Sequence, residues 1–293
     1  MEEGSKSKSI WTPLKIIQWA VPFLNQKGIE NAKFDTEVLI AHALNIDRLK
    51  VYLQFDRPLD EFELKIIHGF LKRRSQHEPI QYITGIREFF GHTFKVAPGV
   101  LIPRPETEHL VTAAIDYLKN IPEEERLVLD LGTGSGCIAL SVAKAIPCKV
   151  WAVDISEAAL RIAKENASNL GVLERVQWRQ GDLFGALSHE DPSQFKVILS
   201  NPPYIPTTEK GNLSIEVKDF EPIEALFGGE DGLEVYKKMV KPLIQCLDPT
   251  GMALLELHDS GYDKVKALYK DSGLKESAIK DLQGFSRVLR LIN

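Results

Sequence analysis

Cysteine is scarce in this chain, and its placement excludes two common ways of stabilising a fold. The 293 residues include only three cysteines, Cys137, Cys148 and Cys246, with no Cys-x-x-Cys pair and no Cys/His cluster. Neither a disulfide framework nor a structural metal site is therefore predicted, and no metal ligands are assigned. Reduced thiols are typical of a cytoplasmic compartment.

Long apolar runs are lacking as well. No run approaches the roughly 18 residues that a membrane-crossing helix needs, and the first residues lack the basic-then-apolar order of a secretory signal. With 44% hydrophobic and 26% charged residues, the composition is typical of a globular protein with one large domain or two ordinary ones. We expect a cytoplasmic protein that does not contact a membrane.

An excess of basic charge is also missing. The formal net charge is -5, and residues 101–293 hold 22 basic but 29 acidic side chains. This acidic part argues against broad electrostatic binding to nucleic acid, so direct DNA binding is not expected. The run Lys72-Arg73-Arg74 would suit an RNA or an acidic partner, but we favour a solvated helix face.

The periodicity of the apolar residues divides the chain. From about Trp11 to His77 they recur at helical spacing, which predicts a small helical bundle. The β-rich segments 82–85 and 88–96, punctuated by glycine, predict a β-hairpin. We therefore place a helical domain at residues 1–80, a hairpin linker at 81–104 and a further domain at 105–293.

The last of these domains alternates helices and strands, which predicts a mostly parallel sheet wrapped by helices. Ligands of such α/β sheets bind at the carboxyl ends of the strands. We predict strands at 127–130, 149–153, 176–179, up to Ser200, 252–257 and 287–291, and helices at 107–118, 137–145, 157–170, 233–246 and near 262–270.

Three strand ends carry residues suited to a nucleotide-like ligand. A glycine loop lets the backbone approach the ligand closely, Asp154 suits a ribose diol, and Asp182 can accept from an adenine amino group. The dinucleotide and phosphate-loop patterns both fail, so S-adenosylmethionine fits better than NAD or ATP. The candidate cofactor residues are Asp130, Gly132, Thr133, Gly134, Ser135, Gly136, Asp154, Asp182, Leu183 and Asn201.

A fourth strand end carries Asn201-Pro202-Pro203-Tyr204. The Asn201 side-chain oxygen and the Pro202 carbonyl can each accept from a planar –NH2 group, and Tyr204 can stack on its face. The prolines remove competing N–H donors. Alone, this tetrapeptide would indicate only a proline-rich strand exit, but next to a methyl-donor site it predicts methyl transfer to nitrogen. We expect the enzyme to promote this reaction mainly by holding the amide in a fixed position, and we assign no residue as general base.

The chain resembles the peptide-chain release factor glutamine N5-methyltransferases, the HemK/PrmC family. The resemblance covers nearly the whole chain and is most specific at Leu101-Ile102-Pro103-Arg104-Pro105-Glu106-Thr107-Glu108. Further matches are the segment 78–85, Phe90-Gly91, Phe94, Val96, the glycine loop, Asn201–Tyr204, Phe220-Glu221-Pro222, Ala225-Leu226, Gly228-Gly229 and Asp231-Gly232-Leu233.

The resemblance implies a Rossmann-like, seven-stranded class I methyltransferase domain, a helical substrate-recognition domain and a hairpin between them. It implies S-adenosyl-L-methionine as cofactor, with S-adenosyl-L-homocysteine as product. The substrate would be the Gly-Gly-Gln loop of a translation release factor, held by residues Asn201 to Tyr204. Arg104, Glu106 and Glu108 would line the substrate mouth, although Pro105 and the acids equally suit a helix start. A monomer is expected.

Three alternatives remain at this point. A sibling glutamine methyltransferase that acts on a ribosomal protein usually has Arg-Ser-Pro-Ile where this chain has Arg104-Pro105-Glu106-Thr107. A DNA adenine methyltransferase shares the Asn-Pro-Pro-Tyr run, and a non-enzymatic binding module would need a decayed site.

Related chains often have glycine soon after the residue that matches Glu256, whereas this chain continues Leu257-His258-Asp259, so Glu256 receives no role.

Overall fold

The computed structural model describes residues 10–258 and 260–293. The chain divides into two compact units, Met1–Gly85 and Ile86–Asn293. The boundary thus falls at Gly85, a few residues beyond the end of the predicted helical domain. Residues 1–9 of that predicted domain, and Asp259, lie outside the described residues.

The first unit is a helical bundle, as predicted. Its first helix begins after Thr12, which accepts from the backbone N–H of Lys15, and has Pro13 in its first turn. A capping box formed by Asp60 and Glu63 begins the fourth helix. The helices are α1 Pro13–Gln26, α2 Ala32–Leu44, α3 Arg48–Leu53, α4 Glu61–Arg74 and α5 Ile80–Thr84.

The basic run at the end of α4 is mostly structural. Arg74 is buried and its Nε donates to Asp35 Oδ2 at 2.6 Å, while Arg73 pairs with Glu78 at 2.5 Å. Only Lys72 of the three is exposed. The run is therefore not a basic surface patch, although it is not a wholly solvated helix face either.

The β assignment of residues 82–85 is wrong, because Ile80–Thr84 forms α5. The helix follows Pro79 and ends at Gly85, whose φ of +75° is a left-handed cap. Tyr82 and Ile83 are buried, and Ile83 belongs to the core of the helical unit. Tertiary burial therefore overrides the β propensity of this segment.

The second unit begins with the predicted hairpin, in which β1 Ile86–Phe89 pairs antiparallel with β2 His92–Lys95. Phe90 and Gly91 form the two-residue turn, with φ values of 49° and 72°. Positive φ at both positions is what a tight hairpin turn demands. The Phe90 N–H donates to Glu108 Oε1 at 2.9 Å, which stabilises this strained residue.

Seven strands form the main sheet, in the order β5-β4-β3-β6-β7-β9-β8. β3 to β7 run parallel, whereas β9 is antiparallel to β7, and β8 to β9. The chain order reverses at β3, so the carboxyl ends of β3, β4 and β6 surround a switch point. The strands are β3 Leu127–Leu131, β4 Lys149–Asp154, β5 Val176–Gln180, β6 Phe195–Ser200, β7 Leu247–Glu256, β8 Lys275–Lys280 and β9 Ser286–Ile292.

Helices cover both faces of this sheet and complete the predicted α/β fold class. One core includes α6, α7 and α8, and the other includes α11 and α12. No helix among residues 10–258 and 260–293 is long and apolar enough to cross a membrane. The helices are α6 Glu108–Leu118, α7 Cys137–Ala145, α8 Glu157–Leu170, α9 Ile215–Phe220, α10 Ile223–Leu226, α11 Glu234–Cys246 and α12 Tyr262–Leu268.

Candidate active site

A cavity of about 610 Å³ lies at the switch point of the sheet, at the carboxyl ends of β3, β4 and β6. Ten of the predicted site residues line it: Arg104, Gly132, Thr133, Gly134, Ser135, Asp154, Asp182, Leu183, Asn201 and Pro203. The structure thus gathers most of the predicted cofactor residues and part of the Asn-Pro-Pro-Tyr run around one space. Asp130, Gly136, Pro202, Tyr204, Glu106 and Glu108 are not among its lining residues.

The glycine loop after β3 turns sharply toward β4. The N–H groups of Gly132 and Thr133 both donate to the Val153 carbonyl at 2.9 Å. Gly136 has φ +82°, and a Cβ there would lie 2.8 Å from Leu140 Cδ1. The left-handed backbone therefore favours glycine at this position, and a side chain there would crowd Leu140 of α7.

Asp130 lies behind this loop and is fully buried. Its Oδ2 accepts from the Thr133 hydroxyl at 2.7 Å and from the Ala139 N–H at 3.3 Å. Its Oδ1 has no hydrogen-bond partner among the described residues, and burial raises the pKa of Asp130 to about 7. The carboxyl group is thus placed to hold the glycine loop from behind.

Asp154 ends β4 and faces the cavity. Its Oδ2 accepts from the Gly134 N–H at 2.8 Å and its Oδ1 from the Ser156 N–H at 2.9 Å. Burial raises its pKa, while these backbone donors lower it. Each oxygen retains a lone pair that can accept from a hydroxyl group.

Asp182 and Leu183 follow β5 and form the third side of the cavity. Asp182 is exposed and pairs with Lys238 of α11, with Nζ 3.6 Å from Oδ2. Leu183 adopts a φ of 50°. Since a left-handed backbone is costly for a bulky residue, this conformation indicates that the surrounding turn constrains Leu183 at the cavity wall.

The Asn-Pro-Pro-Tyr run begins directly after β6. Ser200 Oγ donates to the Leu131 carbonyl at 2.8 Å, which ties the end of β6 to the start of the glycine loop. Asn201 and Pro203 line the large cavity, whereas Tyr204 lines a second, smaller cavity of about 230 Å³. The Tyr204 hydroxyl donates to Glu256 Oε1 at 3.4 Å.

A glycine segment supports this run from behind. The N–H of Gly228 donates to the Ile205 carbonyl at 3.0 Å. A Cβ on Gly228 would lie 2.5 Å from the Pro203 carbonyl oxygen, and one on Gly232 would lie 2.4 Å from that of Tyr204. Backbone approaches this close leave no room for any side chain, which explains why glycine occupies both positions.

The three residues predicted to form the substrate mouth are not equivalent. Arg104 lines both cavities, and its guanidinium donates to the buried Glu221 at 2.5 Å. Glu106 is exposed and lines the small cavity. Glu108 instead accepts from the Phe90 N–H of the hairpin turn, so its carboxylate does not reach either cavity.

Sequence reasoning assigned no role to Thr107, Glu221 or Glu256, although all three lie at the site. Thr107 Oγ1 accepts from Asn201 Nδ2 at 3.3 Å. Glu221 also accepts from the Ile102 N–H at 3.2 Å. Glu256 is buried, and burial raises its pKa to about 7. Thr107 and Glu221 belong to the matching segments noted above, whereas Glu256 was noted only where the chain departs from its relatives. Only the fold reveals what their side chains contact.

Two family profiles match this chain. Residues 15–85 match the PrmC N-terminal domain, and residues 110–216 match the methyltransferase small domain. The first match ends at Gly85, which is also where the first compact unit ends.

A solved structure shares the fold of most of this chain. A methyltransferase from Pyrococcus furiosus aligns over 70% of this chain and 90% of its own, with a TM-score of 0.51 and 22% identity. At that identity the likeness concerns the fold alone.

Curated relatives cover almost the whole chain. A release factor glutamine methyltransferase of Rhodopirellula baltica is 40% identical over 96% of this chain and 96% of its own length. A protein of the same description from Geobacter sulfurreducens is 39% identical over 97% and 98%. The chain therefore belongs to the release factor glutamine methyltransferase family.

Proposed function

We propose that this chain transfers a methyl group from S-adenosyl-L-methionine to the side-chain amide N5 of the glutamine in the Gly-Gly-Gln motif of a translation release factor. The product of the cofactor is S-adenosyl-L-homocysteine. The observation that carries the proposal is that Asn201 and the glycine loop line one cavity. The enzyme acts as a monomer in the cytoplasm, where its substrate works.

The residues of the large cavity fit the cofactor. Gly132 and Gly134 have positive φ, and a Cβ on either would meet no atom within 4 Å, so the loop borders open space. Asp154 adds a carboxylate that would suit the ribose hydroxyls, and Leu183 an apolar surface that would suit the adenine ring. When bound, S-adenosylmethionine supplies an electrophilic methyl carbon on a positively charged sulfur.

The chain's own residues orient the nucleophile. An amide nitrogen is a poor nucleophile because its lone pair is delocalised into the carbonyl. In this proposal Asn201 Oδ1, at the cavity wall, accepts from one N–H group. The carbonyl of Pro202, the next residue, which does not itself line the cavity, accepts from the other, and the two acceptors fix the direction of that lone pair. Positioning of this kind is worth up to about 7–11 kcal/mol of a barrier. Arg104, Glu106 and Tyr204 border the small cavity beside it, where the rest of the substrate loop enters.

Mass spectrometry of a purified release factor, incubated with the enzyme and a labelled methyl donor, tests this function. We expect one methyl group on the glutamine of the Gly-Gly-Gln motif, and none when that glutamine is replaced by asparagine. The Asn201→Ala enzyme should leave the factor unmodified while still binding S-adenosylhomocysteine. An unmodified factor, with label instead on a ribosomal protein or on DNA adenine, would refute the proposal.

A further inference from the structure

Arg104 lies where the large and the small cavity meet. Among the residues that the structure describes, it alone lines both of them. Pro103 and Pro105 flank it, and its backbone is extended, with φ -98° and ψ 144°. Since proline fixes its own φ and confines the residue before it to extended conformations, the backbone at Arg104 has little freedom. The direction of its guanidinium then depends on what holds the side chain.

Glu221 holds that side chain, and both of its carboxylate oxygens are engaged. Oε1 accepts from Arg104 Nη2 at 2.5 Å, and Oε2 accepts from the Ile102 N–H at 3.2 Å. The side chain of Glu221 is 2% exposed, whereas that of Arg104 is 32% exposed. A carboxylate offers an acceptor at each oxygen, but the amide of a glutamine would offer only one. The pair of donors therefore demands an acid at position 221, not merely a polar side chain of the same shape.

The backbone of Glu221 is anchored to the chain that continues the Asn-Pro-Pro-Tyr run. Its N–H donates to the Val217 carbonyl at 3.1 Å, at the end of α9. Helix α10 follows, and the Leu226 carbonyl at its end accepts from the N–H of Ile205, the first residue after the run, at 3.0 Å. The contact between Arg104 and Glu221 thus ties the segment before α6 to the amide-binding run, across 117 positions of sequence.

The guanidinium of Arg104 has further donors to offer to a ligand. A guanidinium carries five N–H groups and no acceptor, and Glu221 accepts from Nη2. In the proposed substrate, two glycines precede the glutamine, and a glycine presents only its main-chain N–H and carbonyl for recognition. A group that only donates, at the border of the cavities, therefore suits a main-chain carbonyl, and the positive charge strengthens such a hydrogen bond.

We propose that Glu221 is a positioning residue that holds the Arg104 guanidinium at the border of the two cavities, where Arg104 donates to a main-chain carbonyl of the Gly-Gly segment. The inference rests on the proposed function. It adds how the site recognises two residues that have no side chains, and it gives Glu221 a role that requires no contact with the substrate.

Arg104→Ala and Glu221→Gln test this arrangement, with Asp219→Asn as the control for loss of an acid at an exposed position of the same segment. A contact made equally in the ground state and the transition state changes KM and not kcat. We expect Arg104→Ala to raise KM for the release factor by about 10- to 100-fold, the value of one hydrogen bond to a charged group. Glu221→Gln should raise KM by a smaller factor, because its amide keeps one of the two bonds.

Two further measurements separate positioning from a structural role. The calorimetric affinity for S-adenosylhomocysteine should be the same in wild type, Arg104→Ala and Glu221→Gln. In an Arg104→Ala background, Glu221→Gln should raise KM no further, because there is no guanidinium left to hold.

Gly-Gly-Gln peptides, used as inhibitors of factor methylation, identify the group that Arg104 contacts. In two variants of the peptide, one glycyl amide or the other is replaced by a trans-alkene, which keeps the shape but lacks the carbonyl. One of the two replacements should weaken inhibition of the wild-type enzyme by about 10-fold or more. It should have much less effect on Arg104→Ala, which has already lost the donor.

Four results would each overturn the inference: an unchanged KM in Arg104→Ala, additive losses in the double variant, alkene peptides that lose inhibition equally with and without Arg104, or a weakened affinity for S-adenosylhomocysteine in Arg104→Ala. The last result would place Arg104 on the carboxylate of the cofactor instead. Failure of the proposed function would show differently, as a wild-type enzyme that does not methylate the factor.

Discussion

At the scale of single residues, the roles of Asp154 and Glu256 can be tested by binding and unfolding measurements that do not require methyl transfer. Asp154 lines the large cavity and already accepts from the Gly134 and Ser156 N–H groups. We predict that Asp154→Ala weakens binding of S-adenosylhomocysteine by about 10- to 100-fold, the value of one hydrogen bond to a charged group. Calorimetry measures this directly, with the exposed Asp116→Ala as control. An unchanged affinity would remove the ribose assignment.

Burial of Glu256 predicts a pH dependence of stability. Its pKa rises from 4.5 to about 7 on folding, so the folded state keeps a proton that the unfolded state has released between these values. The free energy of unfolding should therefore fall as pH increases from about 4.5 to 7. In Glu256→Gln, this decrease in the free energy of unfolding should be smaller by about 1–3 kcal/mol.

Urea unfolding at pH 5 and pH 8 measures this difference. Asp130, whose pKa also rises to about 7, contributes a decrease of the same sign that persists in the variant. If the free energy of unfolding of Glu256→Gln depends on pH as that of the wild type does, Glu256 is already ionised in the folded protein between pH 5 and pH 8. Its burial then does not raise its pKa.

Single side chains of the site were only partly predictable from the sequence. The positions of Gly132, Asp154 and Asn201 at strand ends follow from periodicity, because strand ends meet at one edge of a parallel sheet. The orientation of Tyr204 toward the small cavity and of Glu108 toward the hairpin does not follow, since it depends on contacts distant in sequence. Thr107 and Asn201 are 94 positions apart and become hydrogen-bond partners only through the fold.

At the scale of structural elements, the glycine segment behind the Asn-Pro-Pro-Tyr run carries a prediction. Because a Cβ on Gly228 would lie 2.5 Å from the Pro203 carbonyl oxygen, alanine there must displace the run. We expect Gly228→Ala to lower kcat by on the order of 10²-fold, as displacements of about 1 Å do. Gly211→Ala is the control, since a Cβ there would meet no atom within 4 Å. Wild-type turnover in Gly228→Ala would contradict the support role.

The elements themselves were predicted where their pattern is strong and missed where it is weak. The buried strands β3 and β6 contain the apolar runs 127–129 and 197–199, and they end within one residue of their predicted ends. β8 was missed, because Lys275–Lys280 is polar and only partly buried at the edge of the sheet. Helix α5 was assigned to the hairpin because isoleucine and threonine favour strands, and its short length gives no helical period.

At the scale of the whole molecule, the division at Gly85 predicts separate tasks for the two units. The large cavity is lined only by residues of the second unit. A protein that begins at Ile86 should therefore keep most of its affinity for S-adenosylhomocysteine but lose most methylation of the release factor. Calorimetry and a methyl-transfer assay measure the two, and circular dichroism checks folding. Equal loss of both would mean that the helical unit is only structural.

We propose that one cavity brings a methyl donor and a glutamine amide together, with Asn201 Oδ1 and the Pro202 carbonyl as the acceptors for the amide. A crystal structure with S-adenosylhomocysteine and a Gly-Gly-Gln peptide tests it most directly. We predict that the sulfur lies on the side of the glycine loop that faces Asn201, and that the two N–H groups of the glutamine donate to those two acceptors. A sulfur directed away from residue 201, or a glutamine held by other groups, would contradict it.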